Sequence, residues 1–167
     1  MSIIRQADFK DDIDKLRDLF WEYLQWANAR NYEEFGIKLD ISAMLEDDMD
    51  KLEIFSPPNG CLLLAFDDSA VAGLACMSKM KGEIGGIKRM YVQPSFRGRG
   101  IGRELLEGLI EEARSIGYSL IRLDSARYMK EAHSLYRSAG FEEIDEYPES
   151  EIPEEFREHW VFMEKYL

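Results

Sequence analysis

The sequence predicts a single α/β domain over residues 1–167, in which helices flank a mixed sheet. One reason is that apolar residues recur at helical spacing in some segments and form short strand-like runs in others. A second is the order of these segments: strand, two helices, three antiparallel strands, helix, strand, helix and two strands. The length of 167 residues suits one hydrophobic core, and no internal repeat or interdomain linker interrupts the chain.

Residues 1–60 are predicted to hold one strand and two helices. The strand is expected at Ser2–Arg5. A second helix is expected from Ile41 to about Leu52, before the chain-breaking run Pro57-Pro58-Asn59-Gly60. The first helix has apolar residues three or four positions apart, as one buried face requires, at Ile13, Leu16, Phe20, Leu24 and Ala27.

The middle of the chain changes to strand-like periodicity. Two apolar runs, Cys61–Phe66 and Ala70–Met77, are joined by a short polar turn and predict a β-hairpin. Lys79–Gly82 is predicted to be a polar loop. A third strand is expected at Gly86–Val92, where alternation puts Ile87, Arg89 and Tyr91 on one face and Lys88, Met90 and Val92 on the other.

The remaining elements are two helices and three strands. A strongly amphipathic helix is expected from Ile101 to Ile116, with Gly117 as its stop signal. The other elements are expected, in chain order, at Leu120–Asp124, Met129–Ala139, Phe141–Ile144 and His159–Lys165, of which the second is a helix and the others are strands.

Charge and cysteine content narrow the function classes. The net charge of −12 disfavours binding to nucleic acid or to an anionic membrane, and it suits a cationic partner. Cys61 and Cys76 lie in apolar runs, which predicts reduced core residues and not a disulfide framework. The N-terminus lacks the features of a signal peptide and no apolar run has the length of a membrane span, so the expected location is cytoplasmic.

The segment after the third strand predicts a phosphate-binding loop. Arg97-Gly98-Arg99-Gly100-Ile101-Gly102 lies between a strand and the start of a helix, followed by Arg103. The first N–H groups of a helix have no partner within it and carry the positive end of the helix dipole, while glycines let an anion approach the backbone. The third glycine is too early for a dinucleotide fingerprint, and no Gly-Lys-Ser/Thr follows.

Two motifs make the chain resemble the GCN5-related N-acetyltransferases (GNAT family). Arg97-x-x-Gly100-x-Gly102 matches the coenzyme A signature of that family, and it follows Met90-Tyr-Val-Gln-Pro94 as in the family. Ala132-His-Ser-Leu-Tyr-Arg-Ser-Ala-Gly-Phe141 matches the second family motif. The resemblance is well defined over residues 85–145, and the first 80 residues agree in the order of their elements.

The resemblance implies direct transfer of an acetyl group from acetyl-CoA to an amine. It also implies a mostly antiparallel sheet of about seven strands flanked by four helices, with two splayed parallel strands for the cofactor. The residues then expected to bind the cofactor are Met90, Tyr91, Val92, Arg97, Gly98, Arg99, Gly100, Ile101, Gly102 and Arg103.

The resemblance also assigns chemistry to individual side chains. Tyr136 stands at the position of the general acid, because a phenol can protonate a thiolate and stay neutral at pH 7. Many relatives carry a glutamate as base where this chain has Gly86, and Glu83 is close in sequence. Asp124 matches another base position, with a turn cap or a water relay as alternatives.

The acceptor is left open by the sequence. Arg89 could fork the carboxylate of an amino acid or peptide, or form a salt bridge within the sheet. The first helices cover the acceptor site in the family, so Trp21, Tyr23, Trp26 and Tyr32 are candidates for pocket lining or for core packing. Neither histidine has a second ligand at metal-binding spacing, so no metal is expected.

The preferred function is N-acetylation of a small primary amine or an amino acid. A non-catalytic acyl-CoA sensor or scaffold is the alternative that Gly86 favours and Tyr136 disfavours. A protein acetyltransferase acting on N-termini or lysines is a third. The sequence leaves the choice between acetyl and longer acyl donors open, and also the oligomeric state, a homodimer included.

Overall fold

The computed structural model describes residues 2–167 and contains a seven-stranded sheet and four α-helices within them. The strands are Ser2–Gln6 (β1), Cys61–Asp67 (β2), Ala70–Lys81 (β3), Ile84–Val92 (β4), Leu120–Ala126 (β5), Glu142–Ile144 (β6) and Trp160–Tyr166 (β7). The α-helices are Ile13–Phe35 (α1), Ile41–Asp50 (α2), Ile101–Ile116 (α3) and Lys130–Ser138 (α4).

The sheet has the order β1-β2-β3-β4-β5-β7-β6. Every neighbouring pair is antiparallel except β4 and β5, which are parallel. This architecture confirms the predicted fold, including the parallel pair at the centre of the sheet.

Each face of the sheet carries its own hydrophobic cluster, because β2 and β3 are covered on both sides. In β2, Leu62 and Leu64 join the cluster beneath α1 and α2, while Leu63 and Ala65 join the cluster beneath α3 and α4. A strand buried on both faces has apolar residues at consecutive positions, which explains the uninterrupted run in β2. Cys61 and Cys76 are buried free thiols in these clusters, as predicted.

Some boundaries differ from the prediction. Helix α1 continues to Phe35 and is stopped by Gly36, whose φ of 69° is left-handed. Strand β3 runs through most of the predicted loop to Lys81, so that loop was wrong. Lys81 pairs with Ile84, and Gly82 at φ 50° makes the tight turn between them. Charged residues at the exposed end of a hairpin resemble a loop in sequence because they face solvent.

A β-bulge interrupts β4 beside β3. Ala75 pairs with Met90 and Met77 pairs with Ile87. One residue of β3 lies between these pairs, whereas two residues of β4, Lys88 and Arg89, lie between them. An extra residue of this kind breaks the alternation of side chains along the strand and redirects them locally.

The bulge makes the predicted face assignment of β4 wrong. Ile87 packs on the same side as Met90 and Val92, in the cluster beneath α3. Tyr91 meets the ring of Tyr23 on α1, with 5.7 Å between centroids, and therefore faces the opposite side. Strict alternation along the strand had placed Ile87 with Tyr91.

No helix within residues 2–167 combines the length and the apolar character needed to cross a membrane.

Leu106→Ala tests the core beneath α3. Leu106 is fully buried, so removing its side chain should lower the free energy of unfolding by about 2–5 kcal/mol. The matched control is Ile3→Ala on β1, where the side chain is 63% exposed and the change should be within about 0.5 kcal/mol. Urea denaturation measures both, and equal losses would contradict this placement of the core.

Candidate active site

A cleft opens where β4 and β5 separate. The two strands pair only from Ile84–Leu120 to Gly86–Arg122, and beyond these pairs each continues without the other. The opening is a cavity of about 550 Å³ between the end of β4, the start of α3 and the start of α4. Its lining includes Trp26, Arg30, Met90, Tyr91, Val92, Phe96, Arg97, Gly98, Gly100, Ile101, Gly102, Tyr128, Met129, Ala132, Leu135 and Tyr136.

The glycine loop forms one wall of this cleft. Gly98 and Gly100 have φ values of 79° and 83°, a left-handed conformation that favours glycine, and a Cβ at either position would point into open space. Gly100 is also the N-terminal cap of α3, so the free N–H groups and the positive dipole end of that helix begin here. The loop therefore has the geometry of an anion site, with room for a phosphate beside the backbone.

The three predicted arginines differ in where they lie. Arg97 lines the cleft, donates from Nε to the Val92 carbonyl at 2.9 Å, and has its Cζ 5.5 Å from the Trp26 ring centroid. Arg99 instead pairs with Asp67 at 2.7 Å, and Arg103 donates to Ser138 Oγ at 3.0 Å. The structure therefore brings Arg97 to the cleft and turns the other two away from it.

Tyr136 lies between this cleft and a second cavity, and it lines both. Its side chain is buried, and its hydroxyl is 3.9 Å from Sδ of Met90 on β4. Burial is the main cause that raises the pKa of the phenol, because a buried phenolate would lose its hydration. Tyr136 therefore keeps its proton throughout the neutral pH range.

The second cavity measures about 120 Å³ and lies on the α1–α2 side of the separated strands. Tyr23, Asn28 and Asn31 of α1 line it, together with Met44 of α2. The segment between β6 and β7 contributes Glu151 and Ile152. Four residues line both cavities, namely Met90, Tyr128, Met129 and Tyr136.

Asp124 of β5 lines the second cavity and anchors the segment between β6 and β7. Its Oδ2 accepts hydrogen bonds from Ser150 Oγ at 3.0 Å and from the Tyr147 hydroxyl at 3.4 Å. Burial is the main cause that raises the pKa of this carboxyl, while the hydrogen bond from Ser150 lowers it. The group thus combines access to the cavity with the raised pKa that suits a general base.

Arg89 also lines the second cavity, but most of its guanidinium is already bound. Nε and Nη2 each donate to the Asp48 carboxylate of α2 at 3.0 Å, as a bidentate pair. Nη1 is turned toward Glu151, at 3.8 Å from Oε2. The structure thus contains a salt bridge at Arg89, but its partner lies on α2 and not within the sheet.

The other predicted positions fall in three places. Tyr23 lines the second cavity and Trp26 the cleft, whereas Trp21 is half-buried against the core and Tyr32 is 62% exposed. Gly86 pairs with Arg122 at the last point of strand contact, and a Cβ there would lie 3.0 Å from Met80 Cε. Glu83 is in the turn before β4, at the end of the strand away from the cleft.

Several site residues were not predicted from the sequence, among them three charged residues and Tyr128. Asp48, Lys88 and Glu151 line or support the second cavity, and Tyr128 lines both cavities while donating to Asn31 Oδ1 at 2.8 Å. Asp48 and Glu151 each lie among other acidic residues, and the sequence has no signal that separates them from those neighbours. Within residues 2–167, no cluster of three or more histidine, cysteine or acidic side chains has a metal-binding arrangement.

Comparison with known proteins agrees with this geometry. A family model described as acetyltransferase (GNAT) family matches residues 13–141. An uncharacterized N-acetyltransferase of Schizosaccharomyces pombe is 31% identical over 155 residues, covering 90% of this chain and 88% of that protein. An N-acetylaspartate synthetase of Danio rerio is 30% identical over 129 residues, covering 75% of this chain and 46% of that protein.

A similar fold occurs among solved structures. The PaiA N-acetyltransferase of Thermoplasma acidophilum, solved in complex with coenzyme A, superposes with a TM-score of 0.75. The alignment covers 100% of this chain and 99% of that one at 21% identity. At this identity the likeness concerns the fold.

Gly100→Val tests the glycine loop. The new side chain would enter the space beside the helix start, so the rise in melting temperature caused by coenzyme A should be lost. Gly117→Val is the matched control, because Gly117 caps the other end of the same helix at φ 100° and also faces open space. Thermal shift measurements on both variants separate backbone strain from loss of binding. A folded Gly100→Val protein with wild-type stabilisation would show that coenzyme A does not bind at this loop.

Proposed function

The chain belongs to the acetyltransferase (GNAT) family and is an acetyl-CoA-dependent acyltransferase, and we propose that its acceptor is a primary amine of a small molecule or an amino acid. The observation that carries this proposal is the meeting of two cavities at Tyr136. The larger one suits an extended cofactor. The smaller one, of about 120 Å³, suits a compact acceptor and favours it over a protein substrate.

The cleft residues fit the cofactor. The open space at Gly98 and Gly100, next to the start of α3, suits the phosphates, and Arg97 adds a cation. At Met90–Val92, the edge of β4 that faces β5 offers backbone N–H and C=O groups that β5 does not engage. Such an edge suits a ligand that carries a chain of amide groups. When bound, acetyl-CoA supplies an acetyl group already activated as a thioester.

Tyr136 is proposed to act as the general acid. It is a buried phenol at the junction of the two cavities, and burial keeps it protonated at neutral pH. A proton donor at this junction can protonate the sulfur as the bond between the acetyl carbon and the sulfur breaks. Coenzyme A then leaves as a neutral thiol and not as a thiolate. Met90 Sδ, 3.9 Å from the hydroxyl, is too weak an acceptor to hold that proton firmly.

Asp124 is proposed to accept the proton of the attacking amine, directly or through water. The raised pKa, caused mainly by burial, makes its carboxylate a better base than an exposed one. Ser150 and Tyr147 hold only Oδ2 of this carboxylate, so Oδ1 can serve the cavity. Support for an amino acid as acceptor comes from the relative named N-acetylaspartate synthetase.

The experiment that tests the function is release of the free coenzyme A thiol from acetyl-CoA across a panel of small amines and amino acids. Turnover of one or more compounds with a matching acetylated product is expected. Tight acetyl-CoA binding without turnover of any acceptor would replace the enzyme by the sensor or scaffold alternative. Turnover only of peptide N-termini or lysines would replace the small acceptor.

Tyr136→Phe should lower kcat by about 10²–10⁴-fold and leave the KM for acetyl-CoA nearly unchanged, because it removes the proton donor and keeps the ring. Steady-state kinetics with the best acceptor measure this effect. Tyr118→Phe is the matched control, since Tyr118 is equally buried but donates to the Asn59 carbonyl away from both cavities. Wild-type turnover by Tyr136→Phe would leave Tyr136 as a packing residue.

Asp124→Asn should change the shape of the pH profile as well as the rate. The amine must lose a proton to attack, so kcat/KM should rise with pH in both proteins. In the wild type, Asp124 must be deprotonated as well as the amine. Below the raised pKa of Asp124 both groups carry a proton, so the acid limb of the profile becomes steeper. That extra steepness should vanish in Asp124→Asn. A lower rate with an unchanged acid limb would mean that Asp124 only anchors Ser150 and Tyr147.

A further inference from the structure

Two neighbouring cations reach the same cavity because of the bulge in β4. Successive residues of a regular strand point to opposite faces, yet Lys88 and Arg89 both line the second cavity, which the proposed function assigns to the acceptor and which is called the acceptor cavity below. Both lie at the bulge, where two residues of β4 face one residue of β3. A bulge at this point has a chemical consequence, because it doubles the positive charge on one side of the sheet.

Besides Asp124 on β5, two carboxylates lie near these cations, and they are held in different ways. Asp48 binds Arg89 through two hydrogen bonds of 3.0 Å and is itself 14% exposed. Glu151 lies 3.6 Å from Lys88 Nζ and 3.8 Å from Arg89 Nη1, beyond hydrogen-bond distance for a direct charged contact. Asp48 is thus a fixed partner, whereas Glu151 is a loose one.

Exposure points to the same distinction. The side chains of Lys88 and Arg89 are 18% and 17% exposed, but that of Glu151 is 56% exposed. Ion pairs with an exposed side chain contribute little free energy, since water and rotamer entropy compete with them. A ligand carboxylate that enters the cavity can therefore displace Glu151 at small cost and form closer contacts with both cations.

We propose that Lys88 Nζ and Arg89 Nη1 form a carboxylate subsite for an amino-acid acceptor, which Glu151 occupies loosely when no acceptor is bound. This inference rests on the proposed function and names the substrate class within it. The second charge of such an acceptor also has a counterpart. Asp124 lines the same cavity and can face the ammonium group, so the cavity presents both signs of charge to a zwitterion.

The main competing interpretation assigns Glu151 an attractive role. Glu151 would then bind a second ammonium group, as in a diamine acceptor. Lys88 and Arg89 would only hold Glu151 in place. The two interpretations predict effects of opposite sign when the charge of Glu151 is removed. The carboxylate subsite predicts tighter binding of the acceptor, and the ammonium site predicts weaker binding.

The experiment compares L-α-amino acids with the amines that remain when their α-carboxylate is removed, for example L-leucine with 3-methylbutylamine and L-methionine with 3-(methylthio)propylamine. Thiol release from acetyl-CoA gives kcat and KM, and thermal shift in the presence of coenzyme A gives binding. We expect the amino acid of a pair to have kcat/KM roughly tenfold to a hundredfold above its amine, as two charge-assisted contacts imply. Equal values, or a preference for the amine, would overturn the subsite.

Two variants sharpen the comparison. Lys88→Met should raise KM for the amino acid roughly tenfold and leave KM for the paired amine unchanged. Glu151→Gln should lower KM for the amino acid, because the internal competitor loses its charge. Lys79→Met and Glu154→Gln make the same charge changes at exposed positions outside the cavity, and they control for the net charge of the protein.

The possible failures are distinguishable. A higher KM for the amino acid in Glu151→Gln would overturn the proposal in favour of the ammonium site. Turnover of carboxylate-free amines alone would overturn the subsite and leave the proposed function intact. Absence of thiol release with every compound would overturn the proposed function. If, in addition, no amino acid raised the melting temperature in the presence of coenzyme A, the subsite would be overturned as well.

Discussion

The early end of the pairing between β4 and β5 is the constraint on which the rest of the site depends. A parallel pair inside a covered sheet would normally continue and satisfy its backbone groups, but here contact stops after Gly86 and Arg122. The freed edges leave polar backbone groups at the centre of the molecule. These groups need a partner, and an extended ligand with amide and phosphate groups can supply one. The helix starts on either side of the opening, at Gly100 and Met129, frame the same space.

The bulge in β4 sets the electrostatics of the other side. It brings Lys88 to the side that Arg89 already faces, where Asp48 of α2 forms a bidentate ion pair with Arg89. Burial is the largest single influence on the pKa of Arg89 and lowers it, but Asp48, Tyr23 and Glu151 together raise this pKa above its ordinary value, so the guanidinium stays charged. Removing Asp48 would leave Arg89 with only the loose contact to Glu151, and removing Arg89 would leave the Asp48 carboxylate, 14% exposed, without its bidentate partner. The position of α2 is therefore tied to the central strand by charge as well as by apolar packing.

The sequence predicts the elements of this fold well because hydrophobic periodicity and glycine punctuation are local signals. The extent of α1 beyond Ala27 and of β3 beyond Met77 was missed, since exposed polar residues carry no periodic pattern there. The bulge could not be predicted, because it is a property of register between two strands and leaves no mark in either one. Its consequence was that Lys88 was assigned to the wrong face. Glu151 and Asp48 were missed for a similar reason, since tertiary contact alone distinguishes them from other acidic residues.

The wall that the two cavities share would allow a ligand in one cavity to be coupled thermodynamically to a ligand in the other. Met90, Tyr128, Met129 and Tyr136 each line both spaces, so a molecule on one side would contact side chains that also line the other. Linkage makes this coupling reciprocal: whatever factor the donor applies to the affinity of the acceptor, the acceptor applies to the affinity of the donor. Measuring either affinity with the opposite cavity empty therefore describes a different equilibrium from that of the ternary complex. Under the proposed function, the donor and the acceptor would meet across these four side chains, and any cooperativity between them would pass through that wall.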